Sequence, residues 1–275
     1  MSNRLLIFGM GYTAARLAVH LRAQGWEVQG TTRSGAEGTI RFDDDAVVRE
    51  AVARATHILS SVPPDPSGAD PVLVWYREAL TTAPARWFGY LSSTGVYGDT
   101  AGAWVDESAP LKGRRGGRNA ADVAWQALRD DVRVFRLPGI YGPERSALDR
   151  VRAGVAQRVR SPDQIFSRVY VDDVVCGVVA SFERGPAGAY NLADDLPAPQ
   201  HCVIDYACVL LGQLPPPFIA PDDPALSSAS RSFYAENRRV ANTKAKRLLG
   251  WQPLYPDYRI GLNAIYTSCC VPSHL

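Results

Sequence analysis

Six residues near the start constrain this chain most: Gly9-Met10-Gly11-Tyr12-Thr13-Ala14. They come after an apolar run over residues 5–8 and open a segment in which Ala14, Leu17, Ala18 and Leu21 recur at i, i+3, i+4 and i+7. The run reads as a buried strand and the repeat as a helix with one apolar stripe, stopped by Gly25. A G-x-G-x-x-(G/A) turn between such elements has a definite mechanical logic. Gly9 permits the tight turn, Gly11 lets backbone approach a pyrophosphate, and Ala14 keeps the helix close to the strand. The free N–H groups of the helix N-terminus then face the phosphates. Gly9, Gly11, Tyr12, Thr13 and Ala14 are therefore the expected dinucleotide-binding turn.

Beyond Gly25 the alternation of strand and helix repeats. Further strands are expected at residues 28–32, 39–42, 57–62, 87–93 and 132–137, with helices at 44–55, 72–80 and 118–129. That order predicts an α/β fold, a Rossmann-type doubly wound parallel sheet. Past residue 143 the alternation loosens and prolines punctuate shorter elements, which suggests a smaller, loop-rich C-terminal substrate region. The expected division is a dinucleotide-binding domain over 1–143, with 173–195 returning to it, and a substrate region of 144–172 and 196–275. Residues 215–230 read as a mobile loop.

Composition closes off several other classes. Hydrophobic residues at 46% and charged ones at 21% are ordinary for a globular protein, and 275 residues suffice for a large core. The net charge of +2 gives no global field toward nucleic acid or anionic lipid, although Arg114, Arg115 and Arg118 cluster locally. No apolar run is long enough to span a membrane and the start does not read as a signal peptide, so a cytoplasmic protein is expected. The five cysteines form no C-x-x-C pair and read as reduced thiols. His20, His57, His201 and His274 are scattered without metal-ligand spacing, so no metal site is expected.

An acidic residue about 20 positions beyond the glycine turn would bind the ribose 2′-hydroxyl of NAD. Here the end of the second strand reads Gly30-Thr31-Thr32-Arg33-Ser34. With Thr32 and Arg33 in place of a carboxylate, the site suits a 2′-phosphate, and NADP(H) is expected over NAD(H). Asp43, after the third strand, suits either the adenine amino group or a helix N-cap.

Four more segments come in order: Leu91-Ser92-Ser93-Thr94-Gly95-Val96-Tyr97-Gly98, Arg136-Leu137-Pro138-Gly139-Ile140-Tyr141-Gly142-Pro143, Val169-Tyr170-Val171-Asp172-Asp173-Val174 and Tyr190-Asn191-Leu192. Together with the glycine turn they resemble the extended and atypical branches of the short-chain dehydrogenase/reductase superfamily, the NAD-dependent epimerase/dehydratase-like proteins. The resemblance runs almost to the end of the chain, through Lys244-Ala245-Lys246-Arg247-Leu248-Leu249-Gly250-Trp251. It implies that Ser93 holds the position of the family's active-site Ser/Thr. It implies also that Pro138, Gly139, Ile140 and Tyr141 lie beside the nicotinamide, that Ser60, Ser61 and Val62 flank the cofactor ribose, and that two copies pair through the helices after strands four and five.

The chain departs from that family where catalysis is concerned. The superfamily uses Tyr-x-x-x-Lys, in which a phenolate moves a proton and Lys lowers the Tyr pKa while holding the ribose. Aligning Asp122 with the acidic residue commonly found just after that motif puts Arg114 at the Tyr position and Arg118 at the Lys position. An arginine stays protonated near neutral pH, so Arg114 is no acid/base. Arg118 suits ribose hydroxyls or the nicotinamide end, and Tyr97 and Tyr141 are the nearest replacements for the missing phenol. The glycine turn is also one residue shorter than the family's G-x-x-G-x-x-G form.

Arg145, Arg150, Arg158, Arg160, Arg168 and Arg231 fall where this fold places its substrate, and Arg145, Arg168 and Arg231 in particular suit an anionic small molecule such as a sugar nucleotide. The segment Ser232-Phe233-Tyr234-Ala235-Glu236-Asn237 either lines that cleft or packs in the core. A serine hydrolase elbow and a P-loop are both absent. Two functions remain: an NADP-dependent oxidoreductase or epimerase/dehydratase on a polar carbonyl or sugar-nucleotide-like substrate, or a cofactor-binding protein without hydride chemistry.

Overall fold

In a computed structural model the described residues are 3–36, 38–161 and 163–270, without the side chains of 229, 230, 269 and 270. Pro162, His274 and the thiols of Cys269 and Cys270 lie outside that description. The first half runs β1 (Arg4–Phe8), α1 (Tyr12–Ala23), β2 (Glu27–Thr32), β3 (Ile40–Arg41), α2 (Asp45–Arg54), β4 (His57–Ser60), α3 (Pro71–Thr82) and β5 (Trp87–Ser93). A 3₁₀ turn (Thr94–Tyr97), β6 (Trp104–Val105), α4 (Gly116–Gln126), β7 (Val132–Leu137) and β8 (Gly139–Tyr141) come next. Then come α5 (Ala147–Arg152), β9 (Arg158–Val159), β10 (Arg168–Tyr170), α6 (Val171–Ala180) and β11 (Gly188–Asn191). The chain ends with α7 (Gln200–Leu211), β12 (Phe218–Ile219), α8 (Ser228–Tyr234), β13 (Arg239–Val240), α9 (Thr243–Leu249) and α10 (Tyr258–Cys270).

Seven of the strands form one parallel sheet in the order β11-β7-β5-β4-β1-β2-β3. Along β1, Leu6 and Phe8 point into a core shared with α2, α3 and α4, while Leu5 and Ile7 point into one shared with α1, α6 and α9. Alternate residues go to opposite faces and both faces are covered, so Leu5 to Phe8 are all apolar. The chain winds outward from β1 through β2 and β3, then returns to place β4 on the other side of β1. That reversal opens a crevice beyond the carboxyl ends of β1 and β4, the place where such sheets bind ligands.

The helix starts are written in capping residues. Asp70 accepts from Val72 N and Leu73 N with Pro71 in the first turn, and its other oxygen takes Trp125 Nε1 at 2.8 Å, tying α3 to α4. For α2 the cap is Asp44, which accepts from Val47 N at 3.4 Å. Asp43, which the sequence also suited to that role, lies one residue too early and instead binds Arg41 through both carboxylate oxygens. A third apolar cluster joins α5, α7 and α10 around Leu148, Ile204 and Leu262 and carries the C-terminal region. Residues 215–230 are less structureless than the sequence implied. Strand β12 pairs with β9, and Gln157 and Arg158 donate to the carbonyls of Ala225 and Pro216. Among the described residues no helix is long and apolar enough to cross a membrane.

One polar cluster is sealed inside this frame. Arg136 on β7 and Asp122 on α4 form a two-point ion pair (Nη2 to Oδ1 2.9 Å, Nε to Oδ2 3.1 Å), with side chains 4% and 0% exposed. Ser92 Oγ on β5 donates to the same carboxylate at 2.6 Å. Arg136 Nη1 donates to the Tyr97 hydroxyl, which donates onward to Asn191 Oδ1 on β11 at 2.7 Å. Removing one partner strands a buried charge, so Arg136→Leu is expected to cost about 3–5 kcal/mol in urea unfolding.

His57, on β4, is enclosed by Trp26, Trp87 and Phe182 and bonded to Thr56 Oγ1 at 2.9 Å. Burial pushes its pKa down from 6.5 to about 4. The unfolded chain therefore binds a proton at higher pH than the folded one. Its contribution to stability is complete above pH 6.5 and is lost as pH falls from there toward 4. His57→Phe should flatten the acid-side slope of stability over that window relative to the parent, measured by urea unfolding at several pH values.

Candidate functional site

The site begins at the turn after β1. Gly9 has φ +85°, a left-handed backbone angle that favours glycine, and a Cβ there would sit 2.9 Å from Val62 Cγ2. The side chain of Met10 lies across Gly30 on β2, where a Cβ would collide with it. Gly11 caps α1 with no side-chain hydrogen bond, the first turn holds no acid, and a Cβ on Gly11 would meet no protein atom within 4 Å. The N-terminus of α1 is thus uncapped and faces open space, an arrangement into which a pyrophosphate fits.

From this turn a cavity of about 1160 Å³ runs past Ser61 and Pro63 to Ser92, Ser93 and Gly95, and along Leu137 to Tyr141. Its far wall comes from α5, from residues 165–168 and from residues 232–238. Seven arginines line it (114, 115, 118, 145, 150, 168 and 238) against the acids Glu144, Asp149 and Glu236. Two of those acids are already engaged. Asp149 completes the capping box of α5 with Ser146, and Glu236 is held between Arg114 and Arg238 at 2.8 and 2.7 Å. The surplus of positive charge makes the cavity attractive to anions. Among the described residues no His, Lys or Cys lines it.

The structure brings together Gly11, Tyr12, Thr13, Ser61, Ser93, Arg118, Pro138, Gly139, Ile140, Tyr141, Arg145 and Arg168 as cavity lining. Ser93 Oγ accepts from Gly95 N at 3.1 Å, which fixes the hydroxyl at the start of the 3₁₀ turn and leaves its proton free to donate. Tyr12 donates to Pro143 O at 2.8 Å and is flanked by Arg16 and Arg145. Arg168 is 7% exposed and donates to the carbonyls of Phe166 and Ala198 and to Gln200 Oε1.

Other expected site residues stand elsewhere. Ala14 is fully buried against the sheet. Ser60 is sealed in the sheet and Val62 packs against Gly9, so neither lines the cavity and Ser61 alone of the three does. Thr32 shares a 2.7 Å hydrogen bond with Thr39 and accepts from Gly35 N, closing the loop that carries the exposed Arg33. Asp43 is occupied by Arg41, which holds its carboxyl below the ordinary range. Arg158 pairs with Asp205, and neither Arg160 nor Arg231 lines the cavity.

Tyr97 is 1% exposed and does not line the cavity. Burial pushes its pKa up to about 12, and its hydroxyl is fully used between Arg136 and Asn191. It is a structural tyrosine rather than a replacement for the missing phenol. Sequence reasoning missed Arg238 and the role of Glu236, whose neighbours Arg114 and Gly98 are more than 100 residues away. Neither has a local signature.

No family model matches the chain. Its Rossmann-type fold is shared with solved epimerase and dehydratase structures that are 15–18% identical to it. The chain belongs to one family with a conserved protein of unknown function from Silicibacter pomeroyi, 39% identical over 98% of this chain and 100% of that one, with TM-score 0.86. It is also 31% identical to a Streptomyces protein, 3-diazoavenalumate denitrifying reductase, in a match spanning 58% of this chain and 58% of the reductase. Two solved structures share the fold at lower identity. The human epimerase family protein SDR39U1, with NADPH, is 18% identical with TM-score 0.77 over 96% of this chain and 99% of its own. The UDP-glucose 4-epimerase of Thermotoga maritima, with UDP-glucose, is 16% identical with TM-score 0.77 over 97% and 99%.

Because no atom of the described residues lies within 4 Å of a Cβ at Gly11, Gly11→Val separates folding from ligand entry. Its expected stability cost is about 1 kcal/mol or less, while dinucleotide affinity should fall at least about tenfold through the branched side chain at the phosphate position. Thermal unfolding and calorimetric titration of the same variant check both.

Proposed function

We propose that this protein binds NADP(H) in the crevice at the turn after β1 and works as an oxidoreductase or epimerase on a polar, anionic carbonyl or alcohol. The observation that carries this reading is the continuity of one cavity from the uncapped α1 N-terminus to a wall of arginines. The first-turn N–H groups with Gly9 and Gly11 would hold the pyrophosphate, Ser61 would flank a ribose, and Arg118 would reach the ribose or nicotinamide end. Arg33, exposed beyond β2, would take a 2′-phosphate. A bound dihydronicotinamide supplies hydride. The rest of the chemistry belongs to the chain: Ser93 donates a hydrogen bond to the reacting oxygen, and Arg145, Arg150 and Arg168 draw in and orient an anionic substrate. The SDR39U1 structure with NADPH, the epimerase with UDP-glucose and the partial match to a reductase support this reading.

A second reading, cofactor binding without hydride transfer, is favoured by Arg114 at the Tyr position, because an arginine cannot move a proton there. The same proposal places the protein in the cytoplasm as a homodimer. Val74 (66% exposed) and Trp75 (49%) on α3 and Val123 (54%) on α4 supply the apolar surface for pairing.

Isothermal titration with NADPH, NADP, NADH and NAD tests the core of the proposal. The expected result is micromolar or tighter binding of NADP(H), with NAD(H) at least about tenfold weaker, and loss of that preference in Arg33→Ala. Absence of binding to all four would remove both readings.

A further inference from the structure

We propose that Tyr234 is the proton donor and acceptor of this cavity, supplied by the C-terminal region in place of the phenol that α4 lacks. The inference rests on the oxidoreductase reading given above and assigns its missing acid.

Arg114 shows how the exchange is built. Its Nε donates to Glu236 Oε1 at 2.8 Å and its Nη2 to Ser232 O at 2.9 Å. These two anchors bracket Tyr234 in the chain. Glu236 is fixed again by Arg238, which also donates to Gly98 O at 2.8 Å, and the Glu236 carbonyl accepts from Gln164 Nε2 at 2.6 Å. The arginine at the expected Tyr position thus clamps the segment that carries another tyrosine over the cavity.

That tyrosine stands beside the wall the reaction would use. Its ring meets Phe166 edge to face at 5.4 Å. Phe166 leads into β10, which pairs in parallel with β8, the Gly139–Tyr141 strand, and Gly139 N donates to Ser167 O. The Tyr234 hydroxyl has no hydrogen-bond partner among the described residues, and the residue lines the cavity. Burial holds the Tyr234 pKa above its usual value, and the charges of Arg150, whose guanidinium has no ion-pair partner among the described residues, and of Arg168 pull it part of the way back. Both charges favour the phenolate over the neutral phenol.

The other lining phenols and carboxylates are engaged, shut away or exposed at the rim. The hydroxyls of Tyr12 and Tyr141 donate to the carbonyls of Pro143 and Asp257, at 2.8 and 3.3 Å. Tyr258 is 2% exposed and packed in the third apolar cluster. Glu236 is neutralised by two arginines, and Glu144 stands exposed at the rim.

In the reducing direction, Tyr234 gives its phenolic proton to a carbonyl oxygen whose carbon has received hydride from a dihydronicotinamide. The C=O π pair becomes the oxygen lone pair that takes the proton, and the O–H bonding pair stays on the phenolate facing Arg150 and Arg168. A proton returns to the phenolate from water through the open cavity. In the oxidising direction the same phenolate removes the alcohol proton.

The test combines turnover with a readout that needs no cofactor. NADPH oxidation is followed with pyruvate, dihydroxyacetone phosphate and 4-carboxybenzaldehyde for the parent and Tyr234→Phe, which keeps the ring against Phe166. The expected result is a fall in kcat of about 100-fold or more, with the NADPH Kd unchanged and the carbonyl KM within about threefold, since only a proton donor is lost. Ultraviolet titration of parent minus Tyr234→Phe isolates one phenol, and its curve should move to higher pH in an Arg150→Gln background. Equal turnover in Tyr234→Phe and an active parent would overturn this assignment and leave the oxidoreductase reading standing. A phenol curve that ignores Arg150→Gln would overturn it too. A parent that binds NADPH but reduces none of the three probes would count against the oxidoreductase reading itself, and the assignment would fall with it.

Discussion

The buried Asp122–Arg136 pair is the interaction on which the site depends. It binds α4 to β7 at the carboxyl end of the sheet, and through Ser92 and Tyr97 it reaches β5 and β11. Ser93 and Pro138 each lie one or two residues from this network, so the two walls of the cavity are positioned by it. Charges enclosed in this way add little net stability on their own account, because desolvation offsets most of the attraction. Their value here is geometric: the network ties β5, β7, β11 and α4 together through one set of satisfied donors and acceptors.

The topology supplies the other half of the site. Reversal of strand order between β1 and β4 leaves the α1 N-terminus open to solvent, and the cavity starts there. The polarity of a parallel sheet then sends Ser61, Ser93 and Pro138 out at the same edge as Gly9. Onto this frame the C-terminal region adds its own groups. Its residues 232–238 are laid across the cavity by Arg114 and Arg238, and they bring an aromatic hydroxyl and a carboxylate to a site otherwise dominated by arginine. A change in catalytic equipment need not disturb the sheet when the new group arrives on a separate segment.

Much of the fold was legible in the sequence because its signals are local. The strands over residues 87–93 and 132–137 coincide with the expected ranges because the apolar residues within them recur closely enough to mark both elements. Helix starts were less exact where two acids adjoin: Asp43 and Asp44 are equivalent by type, and only the backbone path after β3 makes Asp44 the cap. The same limit applies to Ser60, Ser61 and Val62, three neighbours at a strand end whose alternating directions put one toward the cavity and one into the sheet. Residues 215–230 looked structureless because a two-residue strand leaves no periodicity to detect.

By itself the sequence determined the parallel α/β fold and the glycine turn that opens α1, and it holds no tyrosine in the Arg114–Arg118 stretch. Each is written in neighbouring residues through turn geometry, side-chain period and residue chemistry. Which tyrosines and arginines line the cavity was decided only by the tertiary structure. Tyr97 is locked between Arg136 and Asn191, whereas Tyr234 lines the cavity. Those environments are made by contacts spanning from about 40 to more than 100 residues, such as Arg136 to Tyr97 and Arg114 to Glu236. Pairings of that kind are set by packing of whole elements, so no stretch of sequence carries them alone.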